Sequence, residues 1–474
     1  GLGPAGSLWN SSAKVAGLMS GGRARGVFFR PDGHVFGPFF DPQRPFSAIS
    51  TVRRLNAYTD DLELDSEAFL SVFGAASSPE EGPAPGFYHF SGSPADTFGE
   101  DVERMHLDPL QEFLKLDPSR SSINLWVGQA GVVTPCHYDG YHNMYVQLAG
   151  RKRFVMYPPS AWKALHTYPF LHPSFGQCQA NLTSPPAPSS WVSYVTKLAF
   201  DWGGSAGGER SGGPTPSYLT LAPDPALPDP VVADLSPGDT LYLPPHWLHE
   251  VQALTHESVS VNVWTSYSDA IAMEKALAVP LPKALSSEVP RTRVQGAKRR
   301  RRAVLGAVLV SMVLRKQLGG SNAASEFLRD AVGARYYPLM RSGELPSGRD
   351  RPLKEFFLED DVEYEVAPTA PEGAGGRQVT WPWAGGSGVC EGYAPQRRLE
   401  PVDFPSLEDL NETRRCSDDV LRHFQTLTFE GKGMNSSWIM NWVEAVAYHS
   451  VPLEHIPLYV SQLKNCVGLD LFFL

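Results

Sequence analysis

LWVGQAGVVTPCHYDGYHNMYVQLAGRKRFVMYPP, residues 125–159, alternates short apolar runs with glycine-marked turns, the pattern of successive β-strands. Inside it stands Thr134-Pro-Cys-His137-Tyr-Asp139. Side chains two apart on an extended chain share a face, so His137 and Asp139 can bind one metal ion from a single strand. Imidazole with carboxylate suits Fe(II), and one more histidine completes a two-histidine, one-carboxylate set. A second His-x-Asp, His106-Leu-Asp108, runs into DPLQEFLKL (108–116), which reads as a helix with Asp108 at its N-cap. Residues two apart diverge on a helix, so His106 is set aside.

Downstream of His137, a strand ends at Ala149-Gly150 and another starts at Arg151. Read as a two-residue hairpin turn, this pairs Leu148 with Arg151, Gln147 with Lys152, Tyr145 with Phe154 and Asn143 with Met156. Cross-strand partners share a face, which gathers Asn143, Tyr145, Gln147 and Lys152 on one side. Met144, Val146, Leu148 and Val155 take the other, suited to packing. A cation beside an amide and a phenol makes the first face an anion site; the alternative is an exposed lysine on an edge strand.

Three histidines can complete the metal set: His246, His249 and His256. His249, in PPHWLHEV (244–251), follows the strand TLYLP (240–244) and opens a new extended run, and it is preferred. His246 follows two prolines and His256 lies in LTHES, both turn contexts. In SVSVNVW (258–264), Val259, Val261 and Val263 face one way and Ser260, Asn262 and Trp264 the other.

The chain around this region has 474 residues, 42% hydrophobic and 19% charged, with a net charge of −10. That is enough for two or three cored domains, too apolar for general disorder, and too acidic for a protein whose main task is coating nucleic acid or an anionic membrane. With 43 glycines and 42 prolines it is rich in turns, which favours mixed β architecture over a helical bundle. Cys136, Cys178, Cys390, Cys416 and Cys466 are too scattered for a disulfide framework and form no CxxC pair, which excludes a zinc ribbon. The longest apolar run, Ala303–Leu314, falls short of the roughly 20 residues that cross a bilayer. Four of the eleven asparagines, Asn10, Asn181, Asn411 and Asn435, head N-x-S/T sequons, whereas Lys298–Arg302 is a basic run readable as a nuclear signal or a solvated helix end. The compartment therefore stays open between cytoplasm or nucleus and a secretory lumen. The chain opens at Gly1, which does not distinguish a removed signal peptide from a missing N-terminus.

Five regions are expected. Residues 1–85 form an irregular β-containing lead-in, and 86–285 a β-rich domain interrupted by a Pro/Gly-rich insertion at 181–230. Residues 286–366 are a helical extension, 367–396 a linker, and 397–474 a C-terminal helical region. Helical periodicity marks 269–284, 303–318, 323–337, 405–425, 434–448 and 456–474.

Residues 125–159, LSPGDTLYLPPHWLHEV (235–251) and SVNVW (260–264) together resemble the JmjC/cupin-like family of Fe(II)- and 2-oxoglutarate-dependent oxygenases, and within it the asparaginyl hydroxylase known as factor inhibiting hypoxia-inducible factor. The likeness covers about 180 residues, Phe87 to Trp264, with the long insertion as its main departure. It implies a double-stranded β-helix, the jelly-roll barrel of the cupins, mainly β with peripheral α-helices and a helical C-terminal region. It places His137, Asp139 and His249 on the iron ligands, and Lys152 and Thr134 on the residues that hold the distal carboxylate of 2-oxoglutarate. Asn143 and Asn262 fall beside the cosubstrate with Tyr145, and Tyr88 in GFYHFSG on a tyrosine touching the same carboxylate. Tyr138 is expected to point away from the metal, and Cys136 is assigned to packing. The implied reaction uses O2, converts 2-oxoglutarate to succinate and carbon dioxide, and hydroxylates a protein or peptide side chain. A lysyl demethylase, an RNA-modifying oxygenase and a non-catalytic cupin-fold binding protein are the rivals. Dimerisation through the C-terminal helices is a further expectation of the resemblance.

Overall fold

The structure, a computed structural model of the chain, describes residues 9–18, 24–30, 60–73, 87–92, 121–170, 175–180, 182, 227–265, 268–286, 296–336, 405–426, 434–451 and 456–467. The helix expected at 108–116, His106, most of the insertion and the 367–396 linker lie outside them. The chain divides into two compact units. One is Gly1–Ile271 with Glu430–Met434; the other is Ala272–Phe429 with Asn435–Leu474.

The first unit holds eleven strands among the described residues: β1 (Ala24–Arg30), β2 (Asp60–Leu64), β3 (Phe87–Gly92), β4 (Ser121–Gly128), β5 (Val133–Tyr138), β6 (His142–Ala149), β7 (Lys152–Tyr157), β8 (Val231–Leu235), β9 (Thr240–Leu243), β10 (Leu248–Ala253) and β11 (Ser258–Thr265). They make two antiparallel sheets, a seven-stranded one in the order β2-β1-β3-β4-β11-β6-β9 and a four-stranded one in the order β5-β10-β7-β8. From β4 to β7 the chain changes sheet at every step, and it does so again from β8 to β11. That alternation is the winding of a jelly roll.

It also corrects the hairpin expected at Ala149-Gly150. β6 pairs with β11 and β9, whereas β7 pairs with β10 and β8, so β6 and β7 lie in different sheets. Gly150 is the crossing point. It has φ +64°, and a Cβ there would collide with the carbonyl oxygen of Glu257. Beside it, Leu254 N donates to Arg151 O at 2.9 Å and Arg151 N to Thr255 Oγ1 at 2.8 Å. The glycine is required by close approach of the 254–257 turn, not by a two-residue loop.

Strand alternation sorts the seven-stranded sheet into two faces. Val259, Val261 and Val263 of β11, Leu125 and Val127 of β4, and Val146 and Leu148 of β6 bury their side chains on the outer face. There they pack with Phe90, Val27, and helices α1 (Ser12–Leu18) and α2 (Ser66–Phe73), which contribute Val15, Phe69 and Phe73. The described residues of this N-terminal region thus supply two strands to the sheet and two helices to its outer face. Each fully buried valine contributes about 1.5–3 kcal/mol. The inner face carries Trp126, Asn143, Tyr145, Gln147, Ser260 and Asn262, and the opposite sheet answers with Lys152, Phe154 and Met156.

In the second unit the apolar face of α5 (Gly296–Leu318) is buried, with Leu305, Leu309, Val313 and Leu314 fully enclosed. α6 (Ser321–Arg335) follows after a 107° bend at Gly319-Gly320, both at positive φ. Helix α7 (Leu407–Gln425) packs along α5, and α9 (Ile456–Val467) lies against α6 and α5. α7 begins with a capping box: Ser406 Oγ accepts from Asp409 N, and Asp409 Oδ2 accepts from Ser406 N at 2.6 Å. α8 (Met434–Ser450) carries Glu444, which pairs with Arg335 at 3.0 Å in a fully buried ion pair. The helix expected over 269–284 is two, α3 (Ser268–Leu277) and α4 (Lys283–Ser286), interrupted around Pro280 and Pro282. Of the basic run, Arg301 is bound to Asp409, and Arg302 donates to the carbonyls of His449 and Leu285. Among the described residues no single helix is long and apolar enough to cross a membrane; the bent pair α5 and α6 passes that test only jointly.

Candidate metal centre

β5 and β10 are neighbours, and their register sets His249 opposite His137 and Leu248 opposite Tyr138. The two imidazoles lie 4.2 Å apart between ring centroids. Asp139, just past the end of β5, brings Oδ2 to 3.8 Å from His249 Nε2. The ligand atoms of His137, Asp139 and His249 all lie within 4.8 Å of one another, the one such cluster among the described residues. A gap of 3.8 Å is less than twice a metal–ligand bond of about 2.0–2.2 Å, so one ion can touch both atoms.

Both histidines are oriented the same way. His137 Nδ1 meets Pro135 O at 2.8 Å and His249 Nδ1 meets Trp247 O at 2.8 Å. A ring whose Nδ1–H donates to a carbonyl presents a bare Nε2 to a metal. Burial, with His137 beside it, lowers His249 to about pKa 4 and keeps the ring neutral; Asp139 and the Trp247 carbonyl oppose this only in part. Two imidazoles and one carboxyl group from neighbouring strands fit a divalent ion such as Fe(II).

The other two histidines are elsewhere. His246 is a turn residue at φ +65° whose backbone N–H donates to Asp139 O at 2.7 Å, which steadies the carboxylate-bearing residue from behind. His256 is exposed in the β10–β11 turn.

A polar cluster occupies the same interior. Lys152, 4% exposed, donates from Nζ to Tyr145 OH at 2.7 Å and to Ser260 Oγ at 2.9 Å, and no carboxylate pairs with it among the described residues. Burial pulls its pKa down to about 7. Desolvated and opposed only by hydroxyls, it is suited to an anion. Asn262 Nδ2 donates to Asn143 Oδ1 at 2.9 Å and Asn262 Oδ1 accepts from Trp126 Nε1 at 2.7 Å. Gln147 is bound to Ala149 O and Ser258 Oγ, which makes it a bracing residue of β6.

Thr134 joins this face through an irregularity. His137 and Thr134 are three apart, and a regular strand would point them oppositely. The register slips between His249 and Val251, so His137 faces His249 while Thr134 faces Val251. His249 and Val251 share a face, and the bulge therefore turns Thr134 inward with His137.

Tyr88 is not brought to the site. It packs with Phe73, 6.5 Å between rings, on the outer face of the seven-stranded sheet. Its neighbour His89 faces inward, paired with Gly128 in register and 5.7 Å from the Trp126 ring. Burial first, then the charge of Lys152, depress His89 to about pKa 3. One residue of parity flips a strand's side chains between faces, and the alternation Tyr88 out, His89 in, Phe90 out was available in FYHFSG. Ser260 was likewise on the inward face of SVSVNVW without being singled out.

Residues 53–270 match the family model of a cupin-like domain. That part of the chain is a cupin-like domain. The domain is similar to HSPB1-associated protein 1 of Rattus norvegicus, 31% identical over 141 residues, which is 30% of this chain and 23% of that protein. It is similar to lysine-specific demethylase JMJ31 of Arabidopsis thaliana, 26% identical over 151 residues, 31% of this chain and 21% of that protein. It is also similar to the bifunctional peptidase and (3S)-lysyl hydroxylase JMJD7 of Homo sapiens, 27% identical over 143 residues, 30% of this chain and 41% of that protein. The chain thus spans less than half the length of each of these curated relatives. The His137, Asp139 and His249 cluster lies wholly within the cupin-like domain, as does the Lys152 pocket.

An aromatic cluster reaches the surface of the cupin-like domain at Tyr141. Tyr141, 43% exposed and two residues past Asp139, stacks on Trp264 at 6.3 Å, and Trp264 meets Trp126 edge-on at 6.0 Å. Tyr138 turns away from the metal ligands toward Phe175 and His246.

Proposed function

We propose that the cupin-like domain is an Fe(II)- and 2-oxoglutarate-dependent oxygenase that hydroxylates a side chain of a protein substrate. The observation that carries this reading is the pairing, in one interior, of the His137, Asp139 and His249 donors with a buried lysine that has no carboxylate partner among the described residues. The likeness to a lysyl hydroxylase supports a protein substrate, and the expected kinship with the asparaginyl hydroxylase belongs to the same reading.

In this proposal His137, Asp139 and His249 would hold iron, which when bound would supply the activation of O2 and the oxidative decarboxylation of 2-oxoglutarate. The protein's share is positioning. Lys152, in its charged form, binds the distal carboxylate of 2-oxoglutarate with the hydroxyls of Tyr145, Ser260 and Thr134 as neutral donors. His89 completes that anion pocket in place of Tyr88. Asn143 and Asn262, locked to each other and to Trp126, wall the path between the anion pocket and the metal. Phe154, Met156, Leu241 and Leu243 keep the interior dry, which strengthens each polar contact. Trp264 and Tyr141 meet the substrate chain at the surface.

The likeness to JMJ31 favours a second reading, removal of a lysyl methyl group by the same oxidation. One experiment separates them. The full chain is incubated with Fe(II), 2-oxoglutarate and a peptide library that includes methylated peptides, and products are analysed by mass spectrometry. Hydroxylation adds one oxygen atom to a peptide; demethylation releases formaldehyde and shortens a methylated lysine. Absence of succinate under every condition rejects both.

A further inference from the structure

Cys136 stands directly before the metal-ligand candidate His137, on the opposite face of β5, and is buried against another cysteine. Cys178 N donates to Cys136 O at 2.8 Å, and Tyr138 N donates to Gly176 O at 2.9 Å. These two bonds flank the His137–Gln177 bridge, so Cys136 and Cys178 are directly opposed across an antiparallel pair. Opposed residues of that kind have Cα atoms about 5.5 Å apart, inside the range of about 4.4–6.8 Å that a disulfide spans. The Sγ atoms lie 3.0 Å apart, and both residues are buried, at 1% and 8% exposure. They form no metal site with a third donor, since the single cluster of that kind among the described residues is His137, Asp139 and His249. A pair of thiols in contact with no shared metal has one chemistry open to it, closure to a disulfide.

We propose that Cys136 and Cys178 are a redox modification site that closes to a disulfide, stapling the 175–180 segment to the strand that carries His137. The oxidant is a low-molecular-weight disulfide such as oxidised glutathione. The thiolate of Cys178, the more exposed of the two, attacks one glutathione sulfur, breaks the S–S bond and releases the first glutathione as thiolate. The sulfur of Cys136 then attacks the Cys178 sulfur of the mixed disulfide, and the second glutathione leaves, taking up the Cys136 proton. Two cysteine thiols lose two electrons and two protons, and one glutathione disulfide becomes two glutathione thiols. The link joins residues 42 apart in sequence and fixes β5 on the side opposite β10. This inference stands apart from the oxygenase reading, because it rests on the strand pairing alone.

The test uses the full chain, reduced, freed of reductant, and incubated undenatured with oxidised glutathione at neutral pH. Remaining thiols are blocked with iodoacetamide after unfolding, and the digest is mapped by mass spectrometry. The expected result is a Cys136 peptide joined to a Cys178 peptide in most of the chains, two hydrogens lighter than the sum and separated by dithiothreitol. Recovery of both cysteines as alkylated thiols, or as separate glutathione adducts, overturns the proposal. In Cys178→Ser, Cys136 should be recovered unlinked; a Cys136 joined to another cysteine in comparable yield would also overturn it.

Discussion

Lys152 and Tyr145 lie on strands of different sheets, and the ammonium of the first donates to the phenol oxygen of the second at 2.7 Å. The contact crosses the interior of the barrel rather than a hairpin. It brings a buried cation to the same side as the metal donors, and it makes the anion pocket a product of the sheet-to-sheet crossing at Gly150.

Removing that cation should therefore weaken the cosubstrate and spare the metal. Lys152→Ala is expected to raise the dissociation constant for 2-oxoglutarate about 10–100-fold, the worth of a desolvated charge-assisted contact. Mn(II) affinity, measured by titration calorimetry as a redox-inert stand-in for iron, should stay within about twofold. Unchanged 2-oxoglutarate binding would reject the anchor.

The depressed pKa of Lys152, about 7, gives a pH dependence with a definite sign. Above pH 7 the free site loses the ammonium's proton, while a bound dicarboxylate favours keeping it. Binding 2-oxoglutarate at pH 8 should thus take up a proton, and affinity should fall as pH rises from 7 to 9. Calorimetry in two buffers of different ionisation enthalpy reads the proton directly. Proton release, or a flat pH profile, contradicts the assignment.

Tyr88 and His89 make a paired comparison. Tyr88→Phe sits on the outer face and should leave 2-oxoglutarate binding within about twofold, whereas His89→Phe should weaken it at least about fivefold by putting an apolar ring in a polar pocket. The opposite ranking would restore the sequence expectation for Tyr88.

In the helical unit, Arg335 and Glu444 are both fully buried, and Arg335 also donates to Asn441 and Ser437. Glu444→Ala leaves a charged guanidinium without its counter-ion and should cost about 3–5 kcal/mol. Chemical denaturation of the variant reads the loss, and a change under about 1 kcal/mol would mean the pair is not buried as described.

How much of this was legible beforehand depends on how local each signal is. The inward and outward faces of SVSVNVW follow from strand parity alone, and Val259, Val261 and Val263 are indeed on the packed side with Ser260 and Asn262 opposite. His249 was separable from His246 and His256 because only it opens an extended run. Sheet partners were not legible. Ala149-Gly150 has the composition of a tight turn, but the residue that demands glycine is Glu257, more than a hundred positions away. The inward turn of Thr134 depends on a bulge opposite β10, again a long-range fact that the residue resemblance implied and strand parity would have denied. Tyr88 failed by one residue, the smallest error a strand allows and one that inverts a side chain's surroundings.

The most direct test of the central claim is anaerobic titration of the full chain with Fe(II) and then 2-oxoglutarate, in wild type, His249→Ala and His246→Ala. Wild type should bind one equivalent of each, with a visible charge-transfer absorption appearing only when both are present. His249→Ala should lose the absorption, and His246→Ala should keep it. Iron and 2-oxoglutarate binding that survives His249→Ala undiminished, or that disappears with His246→Ala alone, would contradict a centre built from His137, Asp139 and His249.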